Sequence, residues 1–282
     1  MAADKPNLGI LYADESDRGI THPFFVLILN AILREAQARG YNITFINPVI
    51  EAEGETYAQR CAAANVAGVC LVCLDFKSPH VKALIDSGIP CVTIDHIFKR
   101  VPAVLSDNET GVEKLVDYAV SLGHRRIAFI HGHNNSLVTR TRIGQFRNTM
   151  AYYGVPVPPE YLREGLYNDI AATRRIVREL LRLPERPTCI LLPDDMSYLG
   201  AQDAARELGL RVPEDISFAG YDGIPMTQTL KPALTTIRQS SDAMGAMVAR
   251  RLIELIESPE TASRKANIFP VELIRGGTIA QV

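Results

Sequence analysis

Asp95, Asp194, Asp195, Asp222 and Arg142 are the residues whose types and positions could do chemistry in this chain. Asp95 follows the apolar run Cys91-Val-Thr-Ile94, and Asp222 comes with Tyr221 just after the run from Ile216 to Gly220. Gly223 and Pro225 come directly after Asp222, so a strand stops there and the chain turns. Ligands of open α/β sheets bind outside the carboxyl ends of the strands. A carboxylate at such an end can accept two hydroxyls of a vicinal diol. An aspartate there can equally cap a helix or form a turn, and residue type alone leaves both roles open. Asp194-Asp195 opens a helix after Leu192-Pro193, with Asp195 as the expected cap and Asp194 as either cap or ligand contact. Arg142 lies near the start of another helix, where an arginine is usually solvated.

Other patterns point away from catalysis. Cys70-Leu-Val-Cys73 has redox or zinc spacing, but it lies in an apolar run of strand type, where residues three apart face opposite ways. His131-Gly-His133 has no cysteine or acid at ligand spacing, so no metal is expected. Neither GxGxxG nor GxxxxGK[ST] occurs, so nucleotide phosphates have no cradle. No nucleophile–base set can be assembled, and no cofactor or enzymatic activity is expected. A net charge of −2 with basic residues spread among acids argues against a nucleic-acid surface on this chain. No apolar run approaches the ~20 residues of a membrane helix. An odd number of cysteines, five, without disulfide-like spacing, fits a cytoplasmic protein.

Elements that could position these residues alternate along the chain. Leu8–Ala13, 43–46, 68–74 and 91–94 are apolar runs of strand length, separated by helical stretches at 23–39, 55–65 and 79–87. A short piece at Val104-Leu105 follows, and the pattern then restarts. Strands are expected at 126–130, 161–165, 189–192 and 216–220, and helices to Leu122 and over 139–153, 169–183 and 195–208. An amphipathic helix over 240–257 and a closing strand over 268–274 end the chain. Strands that are apolar throughout and alternate with helices require parallel sheets covered on both faces.

Several stretches carry a family resemblance. His22-Pro-Phe-Phe25, Asp107-Asn-Glu-Thr-Gly111, LGHRRIAFIHG at 122–132, VPEDISFAGYDG at 212–223 and PALTTIRQ at 232–239 together resemble the effector-binding domain of LacI/GalR-type transcriptional regulators. The resemblance runs from about Leu8 to Thr278. It implies an α/β fold of the periplasmic binding protein type I kind, with two interleaved Rossmann-like lobes and a ligand cleft between them. The lobes would be 7–105 with 239–269, and 106–238 with 270–282.

It also implies ligand contacts at Asp95, Arg142 and Asp222, with Asp194, Tyr167, Phe24 and Phe146 as further lining residues. The family's Arg-Leu-x-Gly-aromatic reads Arg142-Ile-Gly-Gln-Phe146 here, so Gln145 replaces the glycine while Phe146 keeps the aromatic. Asp194 stands where the family has asparagine. The implied partner is a small-molecule effector: a sugar, a polyol or a purine. A homodimer is expected as well, because Phe24, Phe25, Leu27, Ile28, Ala31 and Ile32 exceed one core-facing stripe. DNA operator contact belongs to a helix-turn-helix that this polypeptide, whose first strand begins within ten residues, is expected to lack. The alternative is a solute-binding protein of a sugar uptake system, which shares the fold but should bring a leader and few thiols.

Overall fold

A computed structural model describes residues 6–13, 22–50 and 54–282. The chain divides into two compact units, Met1–Ser106 with Ser240–Phe269 and Asp107–Gln239 with Pro270–Val282. Ser106 thus falls in the first unit and Gln239 in the second, each one residue from the boundary expected from sequence.

The first unit contains β1 (Asn7–Tyr12), α1 (Pro23–Ala38), β2 (Ile43–Ile46), α2 (Tyr57–Ala63), β3 (Val66–Val72) and α3 (Pro79–Asp86). It continues with β4 (Cys91–Ile94) and β5 (Ala103–Ser106). The second unit runs through α4 (Asn108–Ser121), β6 (Ile127–His131), α5 (Leu137–Tyr152), β7 (Leu162–Glu164), α6 (Ile170–Leu180) and β8 (Cys189–Leu191). After these come α7 (Ser197–Glu207), β9 (Ser217–Asp222), α8 (Pro225–Gln228) and β10 (Thr235–Gln239). The chain then supplies α9 (Ser241–Glu257) and β11 (Asn267–Phe269) to the first unit, and β12 (Val271–Ile274) to the second.

Each unit holds one six-stranded sheet, in the orders β11-β5-β4-β3-β1-β2 and β12-β10-β9-β8-β6-β7. The orders correspond strand for strand, so β4 in the first unit is the counterpart of β9 in the second. All pairings are parallel except β10 with β12. The single closing strand expected over 268–274 is in fact two. Pro270 has no N–H to donate to a ladder, and it parts β11, which pairs with β5, from β12, which pairs with β10.

Alternation along each buried strand sends side chains to both faces. In the first unit Leu8, Ile10, Val92 and Ile94 pack with α1 and α9, while Leu11, Val69, Leu71 and Cys91 pack on the other face with α2 and α3. In the second, Ile127, Phe129, Leu191 and Tyr221 meet α4 and α5, and Ala128, Ile130, Ile190 and Phe218 meet α6 and α7. Cys70 and Cys73 do not face opposite ways, contrary to the strand rule. Cys73 lies one residue past β3 at φ +54, and that turn brings it against the same core as Cys70. All five cysteines are thiols.

The apolar surplus on α1 is also smaller than expected. Phe24, Ile28, Ala31 and Ile32 are buried, with Phe25 packed against the same core, so most of it serves the unit itself. Val26 and Leu33 remain 38% exposed each. The α1–α9 packing depends on Gly245, where an added Cβ would lie 2.4 Å from the Ile28 carbonyl oxygen and 2.6 Å from Ala31 Cβ. Gly245→Ala is therefore expected to force the helices apart. The loss of ~1–3 kcal/mol outweighs the ~1 kcal/mol gained in helix propensity, and a lowered urea midpoint with unchanged slope reads it.

Candidate functional site

The residues of interest in the second unit gather at the carboxyl ends of β6, β7, β8 and β9. β7 lies on one side of β6 and β8 on the other, so the strand order reverses at β6/β8, the kind of switch point where open sheets receive ligands. Every residue of β9 is buried, including Asp222 at its end, which is 6% exposed. Asp222 has φ +119 and Gly223 has φ +68. A Cβ on Gly223 would come 2.5 Å from Arg238 Cα, so only glycine allows the turn that presents Asp222. A non-glycine residue at Asp222's φ is uncommon, and such residues cluster at functional positions. Asp222 Oδ1 accepts a hydrogen bond from Gln239 Nε2 at 2.7 Å, reaching across from the end of β10.

Arg142 is not solvated. It lies in the second turn of α5, whose N-terminus is capped by Ser136, and only 5% of it is exposed. Its Nε donates to Asn108 Oδ1 at 2.8 Å and its Nη1 to the Pro193 carbonyl at 3.2 Å. The guanidinium carbon lies 3.5 Å from the centre of the Tyr221 ring and 6.0 Å from that of Tyr167, within cation–π range of both. The Tyr167 hydroxyl pairs with Thr139 Oγ1 at 2.9 Å. Its ring covers Gly132, where a Cβ would come within 2.0 Å.

Of the two acids after β8, Asp195 does not take the expected cap, and Asp194 takes one of the two roles left open for it. Asp194 is the cap: its Oδ1 accepts from the Ser197 amide of α7 and its Oδ2 from the Asn168 amide. Asp195 goes inward, where its carboxyl bonds the Ile224 amide and the Thr227 and Thr236 hydroxyls. A Cβ on Gly220 would lie 2.3 Å from Asp195 Oδ1, so β9 needs glycine there. Burial pushes the Asp195 carboxyl up to about 7 against the pull of these hydrogen bonds. Asp222 is held well above the usual carboxylate range, first by burial and then by the charges of Asp195 and Asp194, with Arg142 opposing. Burial pushes the Tyr167 hydroxyl above the usual tyrosine range, with Arg142 and the Thr139 hydrogen bond opposing and Asp194 and Asp222 adding to it.

Phe146 and Phe24 pack inward instead of lining a site. Phe146 is fully buried, 5.3 Å from the ring of Phe129, and braces the helix that carries Arg142. Phe24 is buried in the first unit's core beside Phe25. Asp95, also in the first unit, is half-buried and follows β4 at φ +59, with its amide donating to the Val104 carbonyl at 3.0 Å. It is the topological counterpart of Asp222. Asn108, Tyr221 and Gln239 were not singled out from sequence. Gln239, a polar residue closing an apolar strand, was the readable signal. Asn108 was masked by the neighbouring Asp107, which caps α4 through the Thr110 amide.

Residues 116–279, more than half of the chain, match the periplasmic binding protein-like domain family. The chain belongs to that family. Among its relatives is the HTH-type transcriptional repressor PurR of Vibrio parahaemolyticus serotype O3:K6, 27% identical over 90% of this chain and 77% of the repressor. The probable HTH-type transcriptional repressor ExuR of Bacillus subtilis (strain 168) is 25% identical over 94% of this chain and 79% of that protein. A putative LacI transcriptional regulator from Bacillus cereus subsp. cytotoxis superposes with a TM-score of 0.88 at 25% identity, covering 99% of each chain. The α/β fold is that of LacI-type effector-binding domains, and these relatives are transcriptional repressors, not enzymes. Among the described residues no helix is long and apolar enough to cross a membrane.

The buried acids make the domain's stability depend on pH. Asp195 keeps its proton in the folded chain up to about pH 7, whereas the unfolded chain releases it near 3.8. Its stabilisation is therefore complete below about pH 4 and is lost as pH rises through 7. Relative to Asp195→Asn, the wild type should lose about 1.4 kcal/mol per pH unit across that window. Parallel denaturant titrations of the two proteins measure it, and taking the difference cancels the opposite trend of the buried His124 and His131, whose pKa values burial lowers.

Proposed function

We propose that this domain senses a neutral, hydroxyl-rich small molecule, a sugar or polyol, and thereby alters the DNA affinity of a full-length repressor. The observation that carries this reading is the joint burial of Arg142 and Asp222 at the switch-point end of one parallel sheet, beside Tyr167 and Tyr221. A hydroxyl both donates and accepts, so it can bridge a carboxylate and a guanidinium. Arg142 is already engaged by Asn108 and the Pro193 carbonyl, and the raised proton affinity of Asp222 suits a neutral hydroxyl better than an anion. The Tyr221 face is covered by the guanidinium, which removes one platform on which a purine would stack. Sequence relatives that are repressors favour regulation over solute uptake.

Asp95 presents the same chemistry at the matching strand end of the first unit, and we propose it as a hydroxyl acceptor too. We also propose that the regulator works as a homodimer in the cytoplasm, with Val26 and Leu33, an apolar pair seven residues apart on α1, in the contact. A monomer in sedimentation at tens of micromolar, ~10–100 μM, speaks against the dimer.

A thermal-shift screen of sugars, polyols and nucleobases identifies the ligand, which at a hundred times its Kd raises stability by ~2.7 kcal/mol. Asp222→Asn and Arg142→Lys, chosen because both side chains are buried and isosteric or charge-conserving changes spare the fold, should each weaken binding ~10- to 100-fold. Asp95→Asn is measured alongside them. Glu214→Ala, an exposed change ahead of β9, should leave affinity unchanged. Calorimetry decides, and full affinity in both Asp222→Asn and Arg142→Lys sinks the assignment.

A further inference from the structure

Helix α5 has a second polar face that takes no part in the site above. At 3.6 residues per turn, Arg140, Ile143, Gly144 and Arg147 share one side of the helix, and Arg142, Phe146 and Thr149 share the opposite side. The first group meets His131 and Asn134 from the end of β6, and Pro159 and Leu162 at the start of β7. Together they line a pocket of about 450 Å³, within the usual size of small-molecule sites.

Charge, burial and helix chemistry all mark this pocket. Many arginines on the molecule meet acids, as in Arg163–Glu179, Arg174–Glu207 and Arg250–Glu35, while others, such as Arg125 and Arg126, meet carbonyls instead. Among the described residues neither Arg140 nor Arg147 has a carboxylate partner. Arg140 donates through Nη1 to the Asn134 and Asn135 carbonyls, at 3.2 and 2.6 Å, which orients its fork without neutralising it. Glu164, whose charge reaches His131, is itself engaged by Asn134 Nδ2 and His133 Nδ1. His131 is 6% exposed, with Nδ1 bonded to the Gly132 carbonyl at 2.8 Å, so a buried polar ring forms part of the lining. Gly144 is a helix-weakening residue in the middle of α5. An added Cβ there would meet nothing within 4 Å, so packing does not call for glycine, while any larger side chain would enter the pocket.

We propose that this pocket binds a small phosphomonoester, with the phosphate on Arg140 and Arg147 and the hydroxyl-bearing carbon chain toward Asn134 and His131. Two unneutralised guanidiniums match the charge of about −1.5 to −2 that a phosphomonoester carries near pH 7. Their planar forks suit phosphate oxygens, which accept paired hydrogen bonds. Ile143, Pro159 and Leu162 give the carbon chain an apolar wall. The pocket is chemically the opposite of the acidic cluster around Asp222, so the two sites select different ligands.

Calorimetry with glycerol 3-phosphate, inorganic phosphate and glycerol tests this on the intact chain. Glycerol 3-phosphate should bind saturably at one site per chain and inorganic phosphate more weakly, while any glycerol binding should be unchanged by Arg140→Gln or Arg147→Gln. Arg140→Gln and Arg147→Gln should each weaken glycerol 3-phosphate ~10-fold or more. Gly144→Leu should abolish its binding with no fall in Tm, which separates blockage from unfolding. These three variants should keep the wild-type affinity for the polyol of the Asp222 site, and Asp222→Asn should keep the wild-type affinity for glycerol 3-phosphate. The two assignments can therefore fail independently. No saturable binding up to ~10 mM, binding that survives Gly144→Leu, or inorganic phosphate binding as tightly as glycerol 3-phosphate overturns the proposal.

Discussion

A guanidinium buried against a tyrosine ring organises the second unit. Taking such a charge out of water costs several kcal/mol unless partners replace its hydration. Arg142 is surrounded accordingly, by the Tyr221 face, the Asn108 amide oxygen, the Pro193 carbonyl and the charges of nearby aspartates. Those partners come from β9, the start of α4 and the link after β8, so one cation on α5 ties four segments together. The arrangement reaches further, because α4 must come close to Tyr221. A Cβ on Gly111 would lie 2.1 Å from the Tyr221 hydroxyl, and only a glycine at that turn of α4 leaves room for the ring on which Arg142 rests.

The acids around this cation divide the remaining work. Asp194 and Asp195 are spent on structure, one closing the amide end of α7 and the other pinning β9, β10 and α8 together from inside. Burial first, and then the neighbourhood of these two acids, raises the proton affinity of Asp222, the strand-end acid proposed to meet a hydroxyl. A carboxylate in that condition favours neutral partners. The matching strand order of the two sheets puts Asp95 and Asp222 at equivalent ends, both at positive φ. A repeated topology has thus been used twice to carry an acid past the last residue of a ladder.

Helix α5 joins two chemistries. Its buried side carries Arg142 and the Phe146 brace, and its outer side carries Arg140, Gly144 and Arg147. A single rigid helix that carries both proposed sites would couple them, since a shift of either side moves both. In the first unit the same topological position, directly after the first strand, is taken by α1, which spends its apolar side on α9.

Much of this organisation was legible in the sequence. Apolar runs of strand length, separated by helices, dictated buried parallel sheets, because an element without a polar face cannot meet water. The ordered motifs from His22 to Gln239 carried the LacI-type resemblance, and Asp222 could be located as a charge that ends an apolar strand before a glycine. What the sequence could not specify was the third dimension of polar contact. Whether Asp194 or Asp195 caps α7 depends on which carboxyl meets Ile224, Thr227 and Thr236, residues 29 to 41 positions away. Phe146 and Arg142 lie four apart on one helix side, yet one enters a core and the other a polar cluster, because Phe129 meets the first and Tyr221 the second. Local pattern determines elements through propensity and periodicity. The burial of a charge is decided by partners brought from distant segments, and only the tertiary structure brings them.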